Sequence, residues 1–416
     1  HSIFNQRNIM IPIKEAKSIV EKHLFKVEKE QVLLKNAGDR ILAQDVVASF
    51  PSPRFDNSAM DGFAVRSVDT IGASNDSPVT LNMVGVSSAG TPSNVSIKEG
   101  ECIQCMTGAK IPDGADAIIM VEDSSGFSDA ETVQIMLETF PGKHIRNRGE
   151  EIKEGEILIQ KGTPITPSEI GTCATFGYGN LSVFKKPKIA IFGTGDELVE
   201  PGTPLGEGQI YNSNLYVFSE LANCAGAEIT MRNVIKDNKD SLRLFLSEAL
   251  ETCDIVISSG GVSMGKYDYV RDVFMELGVE EHFWKVAQKP GKPLFFGTGK
   301  NTLIFGLPGN PVSSYIGFMD WVWPVIHTLT GQPEKESITA ILKKPFPREK
   351  VKYRFLFGKA WMENGQLVCE PSPKVGSHML TSSLQTNCIL GTAQGDGPLL
   401  PGENITVHIL PWKSIK

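Results

Sequence analysis

Leu307-Pro308-Gly309-Asn310-Pro311-Val312-Ser313-Ser314 decides how this chain reads, because two prolines and a glycine separate the apolar run Thr302 to Phe305 from a longer apolar run after Pro311. Proline in the first turn of a helix lacks only a donor that would be orphaned there anyway, so the spacing predicts a strand, a rigid loop and a helix start. The first-turn amides and the hydroxyls of Ser313 and Ser314 would then face the loop as donors for an anion. Upstream, Lys289-Pro290-Gly291-Lys292-Pro293 sets two cations in a second stiff loop. Amides, hydroxyls and ammonium groups fixed this rigidly imply a site for an oxyanion.

Working outward, residues 187–330 alternate short β-type runs with amphipathic stretches. The runs are Lys188 to Phe192, Glu228 to Val234, Asp254 to Ser258 and Thr302 to Phe305; helices fit at Asn214 to Ala225, Ser241 to Thr252 and Tyr269 to Leu277. This alternation predicts a parallel sheet with helices on both faces. The loops Gly193 to Glu197, Ser258 to Ser263 and Gly306 to Asn310 each follow a strand and would gather at the carboxyl edge, where open α/β folds bind ligands. Toward the N-terminus, Ile13, Ala16, Ile19, Val20 and Leu24 fall at helical spacing within Ile13 to Phe25. Between Pro78 and Leu137 four short strands (Thr80 to Val86, Glu101 to Met106, Ala117 to Val121, Thr132 to Leu137) lie between Gly, Pro and Asp turns, and Pro167 opens a short helix through Thr175. After Gly331-Gln332-Pro333 strands resume to Leu410. The expected division is a discontinuous N-terminal subdomain (10–49 with 141–185), a β-rich insertion (50–140), an α/β domain (186–332) and a small β domain (333–416).

With 416 residues, 41% hydrophobic and 21% charged, the chain exceeds a single core and has ordinary globular composition. A net charge of −7 argues against a nucleic-acid partner, which needs a concentrated basic face. No apolar stretch approaches the roughly 20 residues of a membrane span, so no membrane partner is expected. Seven scattered cysteines fit a reducing cytoplasm. Residues 1–9 begin at His1 and read as trimmed sequence rather than a signal peptide. Cys102 and Cys105 form a C-x-x-C, but on a strand residues three apart point to opposite faces, and no second pair follows at zinc spacing. Buried structural thiols are the reading for both.

Several motifs have a plain alternative. Gly193-Thr194-Gly195 lacks the third glycine of a dinucleotide loop, and Asp196 and Glu197 would repel a pyrophosphate unless a Mg²⁺ were shared with it; a capped helix start with acids at its dipole explains it equally. Gly260, Gly265 and Lys266 fit G-x-x-x-x-G-K, yet Tyr267 stands where a Ser or Thr should hold Mg²⁺, which leaves a glycine loop open to a ligand rather than a triphosphate loop. Asp268 is then a metal or ligand carboxylate, or a solvated helix-start acid. Asp56 to Gly62 reads as an ordinary polar turn, Met106 to Ala109 as a strand end, and Arg146 to Glu151 as a solvated charge run. His327 and His408, within apolar runs, are read as packed residues, and no histidine arrangement suggests a nucleophile with its base.

Taken in order, Asp56-Asn57-Ser58-Ala59-Met60-Asp61-Gly62, Met106-Thr107-Gly108-Ala109, Arg148-Gly149-Glu150-Glu151-Ile152, Gly195-Asp196-Glu197-Leu198, Ser258 to Val262, Lys289 to Pro293 and Gly306 to Ser313 resemble the molybdopterin molybdenumtransferases, the MoeA family, with the matching E domains of gephyrin and its plant counterpart. The resemblance spans roughly residues 10–416. It implies a multidomain α/β plus β fold, with a central three-layer α/β domain resembling molybdopterin-adenylyltransferases, a β-rich insertion and a small C-terminal β-barrel. It also implies insertion of molybdate into adenylylated molybdopterin with Mg²⁺-dependent release of AMP. Lys289, Lys292 and Ser313, with Arg354 and Ser377 of the last domain, would hold molybdate. Ser259, Gly260, Gly261, Pro308 and Pro311 would line the substrate, Lys285 would add charge near the phosphates, and Glu197, Asp237 and Asp268 would serve the metal. Asp61, Thr107 and Glu151 would come from the second subunit of a homodimer, across a shared cleft. Transient contacts with a molybdopterin-adenylyltransferase and with molybdoenzyme maturation proteins are implied as well. Glu151 and Asn147 depart from the family, which usually carries Asp and Arg there. A gephyrin-like scaffold without catalysis is the alternative from another class, and a nucleotide-dependent phosphotransferase built on Gly260 to Lys266 is a second.

Overall fold

The structure is a computed structural model that describes residues 10–25, 28–236, 238–261, 269–332 and 337–415. The chain divides into two compact units: His1–Gln44, Gly162–Thr166 and Asn180–Lys416 form one, and Asp45–Lys161 with Pro167–Gly179 form the other.

At the centre of the first unit is a six-stranded sheet in the order Glu228–Ile235, Lys188–Thr194, Ile255–Ser259, Leu303–Leu307, Pro293–Thr298, Glu280–Lys285. Strand periodicity sorts its side chains into two cores. Ile189, Ile191, Ile255, Ile257 and Phe305 pack beneath the Asn214–Ala225 and Trp323–Leu329 helices, together with Ala16 and Val20 of the Ile13–Lys22 helix. Ala190, Phe192, Val256 and Ile304 pack on the other face against Leu246 of the Lys239–Thr252 helix and Phe274 of the Tyr269–Glu276 helix. Covered on both faces, the strands read as near-continuous apolar runs, which is why they stood out in the sequence.

The sheet is not parallel throughout, as the alternation suggested. Four strands run parallel, but Pro293–Thr298 pairs antiparallel with Leu303–Leu307 and with Glu280–Lys285. The connection from Lys285 to Pro293 holds only the short strand Gln288–Lys289, too little chain for the crossover a parallel pair requires.

Residues beyond 337 form a closed five-stranded barrel. Tyr353–Glu363, Gln366–Pro371, Ile338–Leu342, Asn404–Ile409 and Cys388–Thr392 pair in that order, and the last returns to Tyr353–Glu363. Leu342, Leu356, Cys369, Leu390 and Val407 fill it. A separate cluster of Val312, Ile316, Phe355, Phe357 and Ile389 fastens the Pro311–Gly317 helix to the barrel's outer face. Gln288–Lys289 adds to the barrel's edge, with Lys289 opposite Arg354. His327 is buried as expected, but His408 is exposed, since alternation along Asn404–Ile409 turns Val407 inward and His408 out.

The second unit is built on a five-stranded sheet in the order Ala117–Met120, Gly62–Val65, Glu101–Cys105, Val79–Ser87, Thr132–Ile135. Cys102 lies in the core with Phe63, and Cys105 on the opposite face with Ala64. Burial pushes the Cys102 thiol up to about 12 and that of Cys105 to about 11, so both are inert structural thiols.

Candidate active site

The loops that leave Lys188–Thr194, Ile255–Ser259 and Leu303–Leu307 meet the Lys289–Pro293 loop and the mouth of the barrel around one cavity of about 1110 Å³. That exceeds the usual size of a drug-sized ligand pocket and suits a larger, polar ligand. Glu197, Ser259, Gly260, Gly261, Lys289, Lys292, Pro308, Pro311, Ser313, Arg354 and Ser377 all line it. Lys285 does not; its ammonium lies 4.8 Å from the centre of the Trp284 ring. Asp237 and Asp268, and the Gly265 to Tyr267 stretch, lie outside the described residues.

One wall is made of strand-end loops and carries few charges. Gly195, at φ 144°, leaves room for Glu197 to fold back over it: a Cβ there would lie 2.5 Å from Glu197 Oε2. Gly260 has a φ of 83° and gives its amide to the Leu307 carbonyl at 2.9 Å, which ties the ends of two neighbouring strands together. Ser259 and Ser313 are both buried. Asn214, which sequence reading passed over, is the bridge across this wall. Its Nδ2 donates to Ser259 Oγ and to the Gly309 carbonyl, each at 2.8 Å, so one side chain at the start of a helix fixes two loops.

Two donors expected of the Pro311 turn are used within the protein. Ser314 Oγ donates to the carbonyls of Asn310 and Pro311 at 3.2 and 3.0 Å, a habit of hydroxyls in helices. The Val312 amide donates to the Ser377 carbonyl at 3.0 Å, fastening the barrel segment to the helix start. Ser313 is the hydroxyl left on the cavity wall.

The other wall is cationic. Gln288 is buried; it accepts from Trp321 Nε1 at 2.9 Å, and its Nε2 donates to the Gly291 carbonyl at 3.2 Å, so the loop that displays Lys289 and Lys292 is anchored in the core. Lys352 and Arg354 reach the same cavity from the barrel. Arg354 is 5% exposed, and its Nε is buried with no hydrogen-bond partner among the described residues. Burial pushes the guanidinium below its ordinary value, and nearby Glu349 works against that. An unsatisfied donor on a buried, permanently charged group is costly and calls for an acceptor. Lys352 and His378 complete this wall and carry no motif that sequence reading could have used.

In the second unit, Asp61 and Thr107 form a small constellation of their own. Asp61 Oδ1 accepts from the Thr107 amide at 2.7 Å and from its hydroxyl at 2.9 Å. Those two bonds hold the exposed carboxyl below its ordinary range, the backbone bond first. Glu151 accepts from Ser52 Oγ at 2.6 Å, so its longer arm is used locally.

Comparison with known proteins agrees with this geometry along the whole chain. Residues 11–177 match the MoeA N-terminal region (domains I and II), residues 190–328 a probable molybdopterin binding domain, and residues 339–410 the MoeA C-terminal region (domain IV). The molybdopterin molybdenumtransferase of Haemophilus influenzae is 34% identical over 407 residues, covering 96% of this chain and 98% of that protein. That of Bacillus subtilis is 33% identical, covering 97% and 95%. The crystal structure of the molybdopterin biosynthesis protein MoeA from Pyrococcus horikoshii superposes with a TM-score of 0.84 at 30% identity, covering 96% of this chain and 99% of that one. A relative this similar over nearly its full length, with all three regional models in their proper order, places the chain in the MoeA family of molybdopterin molybdenumtransferases.

Proposed function

We propose that this protein is a molybdopterin molybdenumtransferase of molybdenum cofactor biosynthesis, which takes adenylylated molybdopterin and molybdate, inserts the metal into the dithiolene and cleaves the phosphoanhydride to release AMP. The observation that carries this reading is Arg354, a buried cation with an unsatisfied donor, on a wall shared with Lys289, Lys292 and Lys352. A tetrahedral dianion satisfies such a wall, because planar guanidinium and ammonium donors make short, charge-assisted bonds to its oxygens. Ser313 and Ser377 add hydroxyls at the same place. The opposite wall, with its glycines, the Asn214 bridge and the Glu197 carboxylate, offers a surface without cations to the pterin and nucleotide parts.

Among the described residues no three metal-ligating side chains are gathered. Mg²⁺ is commonly held by one or two carboxylates plus substrate phosphates, and Glu197 is a carboxylate on the cavity wall. Glu197 would hold such an ion together with the substrate diphosphate, with Asp237 and Asp268, read from the sequence, as further candidates; when bound, Mg²⁺ would neutralise the diphosphate charge. The chain's own groups orient the two substrates and screen molybdate from water. The Asp61–Thr107 pair is assigned to the cleft of a homodimer, contributed by the second subunit.

The test is incubation with adenylylated molybdopterin, molybdate and Mg²⁺, followed by assay for AMP and molybdenum-loaded molybdopterin. Both products should appear, and neither should form when molybdate or Mg²⁺ is omitted. Asp61→Ala and Lys289→Ala should each be inactive yet regain part of the activity when their subunits are exchanged. A folded wild-type protein that releases no AMP sinks the catalytic reading, and proven heterodimers without recovery sink the shared cleft.

A further inference from the structure

Glu349 has no part in the chemistry described so far, yet it makes the closest polar contact to one of the cavity's principal cations. Its Oε1 lies 2.7 Å from Lys289 Nζ, with the two side chains 28% and 48% exposed. The contact is built into the fold. Lys289 is paired in register with Arg354, and the Glu349 carbonyl accepts from the Gly395 amide at 2.9 Å, which pins the turn before the Tyr353–Glu363 strand. The carboxyl is held below its ordinary range by the hydrogen bond and charge of Lys289 and, further off, by the charges of Arg354 and Lys352. One carboxylate thus sits within the field of three cations of the oxyanion wall. Among the described residues neither Lys292 nor Lys352 has a carboxylate of its own.

A carboxylate presents to an ammonium the same kind of acceptor that an oxyanion does. An oxyanion arriving at Lys289 must share that donor with Glu349 or take it away, and in either case it feels the negative charge. Resting on the oxyanion reading above, we propose that Glu349 is the built-in counter-ion of this site: it occupies Lys289 while the cavity is empty and yields it to a tetrahedral dianion. It thereby lowers the affinity of this cationic pocket for every anion, and for dianions most, so that only an anion able to take Lys289 from it is held. Glu349 is an affinity-setting residue on this account, and its effect is opposite in sign to that of every cation around it.

The experiment is anion binding by calorimetry to the full-length protein, with molybdate, sulfate and perchlorate as probes. Glu349→Gln keeps the shape and an acceptor for Lys289 but removes the charge. It should bind molybdate and sulfate more tightly, by about tenfold, and perchlorate by only about threefold, since Coulomb energy scales with the charge of the ligand. Glu349→Asp should stay near the wild type for all three. If Glu349→Gln does not fold, Glu349→Ala must show the same gain and the same dependence on ligand charge. Loss of a merely structural clamp would loosen the loop and weaken binding, so unchanged or weaker molybdate binding by the folded variants overturns the proposal. Lys292→Ala run in parallel separates the two levels. If it weakens molybdate binding while Glu349→Gln fails to tighten it, only the counter-ion falls; if Lys292→Ala has no effect, the oxyanion site itself is misplaced and the counter-ion falls with it.

Discussion

The two walls of the cavity are built by opposite means. The α/β wall is made of loop tips after parallel strands, shaped by glycines and held by the neutral amide of Asn214. The barrel wall sets a guanidinium in the protein interior, 5% exposed, with its Nε unsatisfied. The second wall keeps a buried charge and an unmet donor, both of which cost stability until a ligand arrives. The difference suggests that substrate shape is read on one side and substrate charge on the other.

The sharpest way to break this contrast is Arg354→Met. Replacing a buried ionic group by an apolar one of similar volume is often neutral or stabilising, so the variant should melt no lower than the wild type. Molybdate binding should fall by about 100-fold, equivalent to roughly 2.7 kcal/mol, because the bidentate partner of the dianion is gone. Arg354→Lys should recover only a small part, since a point charge does not reproduce the planar fork. Thermal melting and molybdate titration check both halves. A variant that melts much lower would mean that Arg354 holds the barrel together and is not kept for its ligand.

The same contrast explains what could be read from the sequence. The Pro311 helix start, the Gly260 and Gly261 loop and the Lys289–Pro293 loop were legible because proline and glycine fix backbone conformation locally. Arg354 and Ser377 came only from the resemblance, for a lone arginine in a barrel strand has no local signature, and its burial is set by packing between distant segments. Lys352 and His378 were not found at all. Ser314 was counted as a ligand donor because its alternative partners, the Asn310 and Pro311 carbonyls, become available only once the helix has formed. The antiparallel edge of the sheet was missed for a similar reason: the pairing of Pro293–Thr298 depends on the shortness of the connection from Lys285, which local periodicity does not show. Asn214 was invisible since its two partners, Ser259 and Gly309, are 45 and 95 residues away in sequence.

Asn214 offers the next test, aimed at the α/β wall. Asn214→Asp keeps the size and places an acid in the first turn of its helix, which the helix dipole tolerates well. It also turns an acceptor toward the Gly309 carbonyl where a donor stood. KM for adenylylated molybdopterin should rise about tenfold, or ~1.4 kcal/mol, with molybdate affinity nearly unchanged and melting within a few degrees of the wild type. Asn214→Ala, which loses the bridge without the repulsion, should lie between the two. If instead molybdate affinity falls while KM holds, the walls do not divide their labour in this way.

The smallest effect is expected one step further from the cavity, at Glu200. Its carboxylate accepts from Asn212 Nδ2 and from Tyr216 Oη, both at 2.8 Å, with Arg232 at 3.7 Å, and so ties the loop after Glu197 to the helix that carries Asn214. Those bonds, that of Asn212 first, hold the carboxyl below its ordinary range. A folded-state pKa below the unfolded value stabilises the protein at pH above the unfolded value, and the gain is lost as pH falls through the folded one. The side chain is 48% exposed, so solvent screening makes the contribution modest. Glu200→Gln should therefore raise KM for adenylylated molybdopterin only about threefold, or ~0.6 kcal/mol, and leave molybdate binding alone. The gap in melting temperature between wild type and Glu200→Gln should be widest near neutrality and close as pH drops below the ordinary carboxylate range. A gap that persists at acid pH would assign the effect to the altered side chain's shape, and the loop would then owe its position to packing instead of to the Glu200 charge.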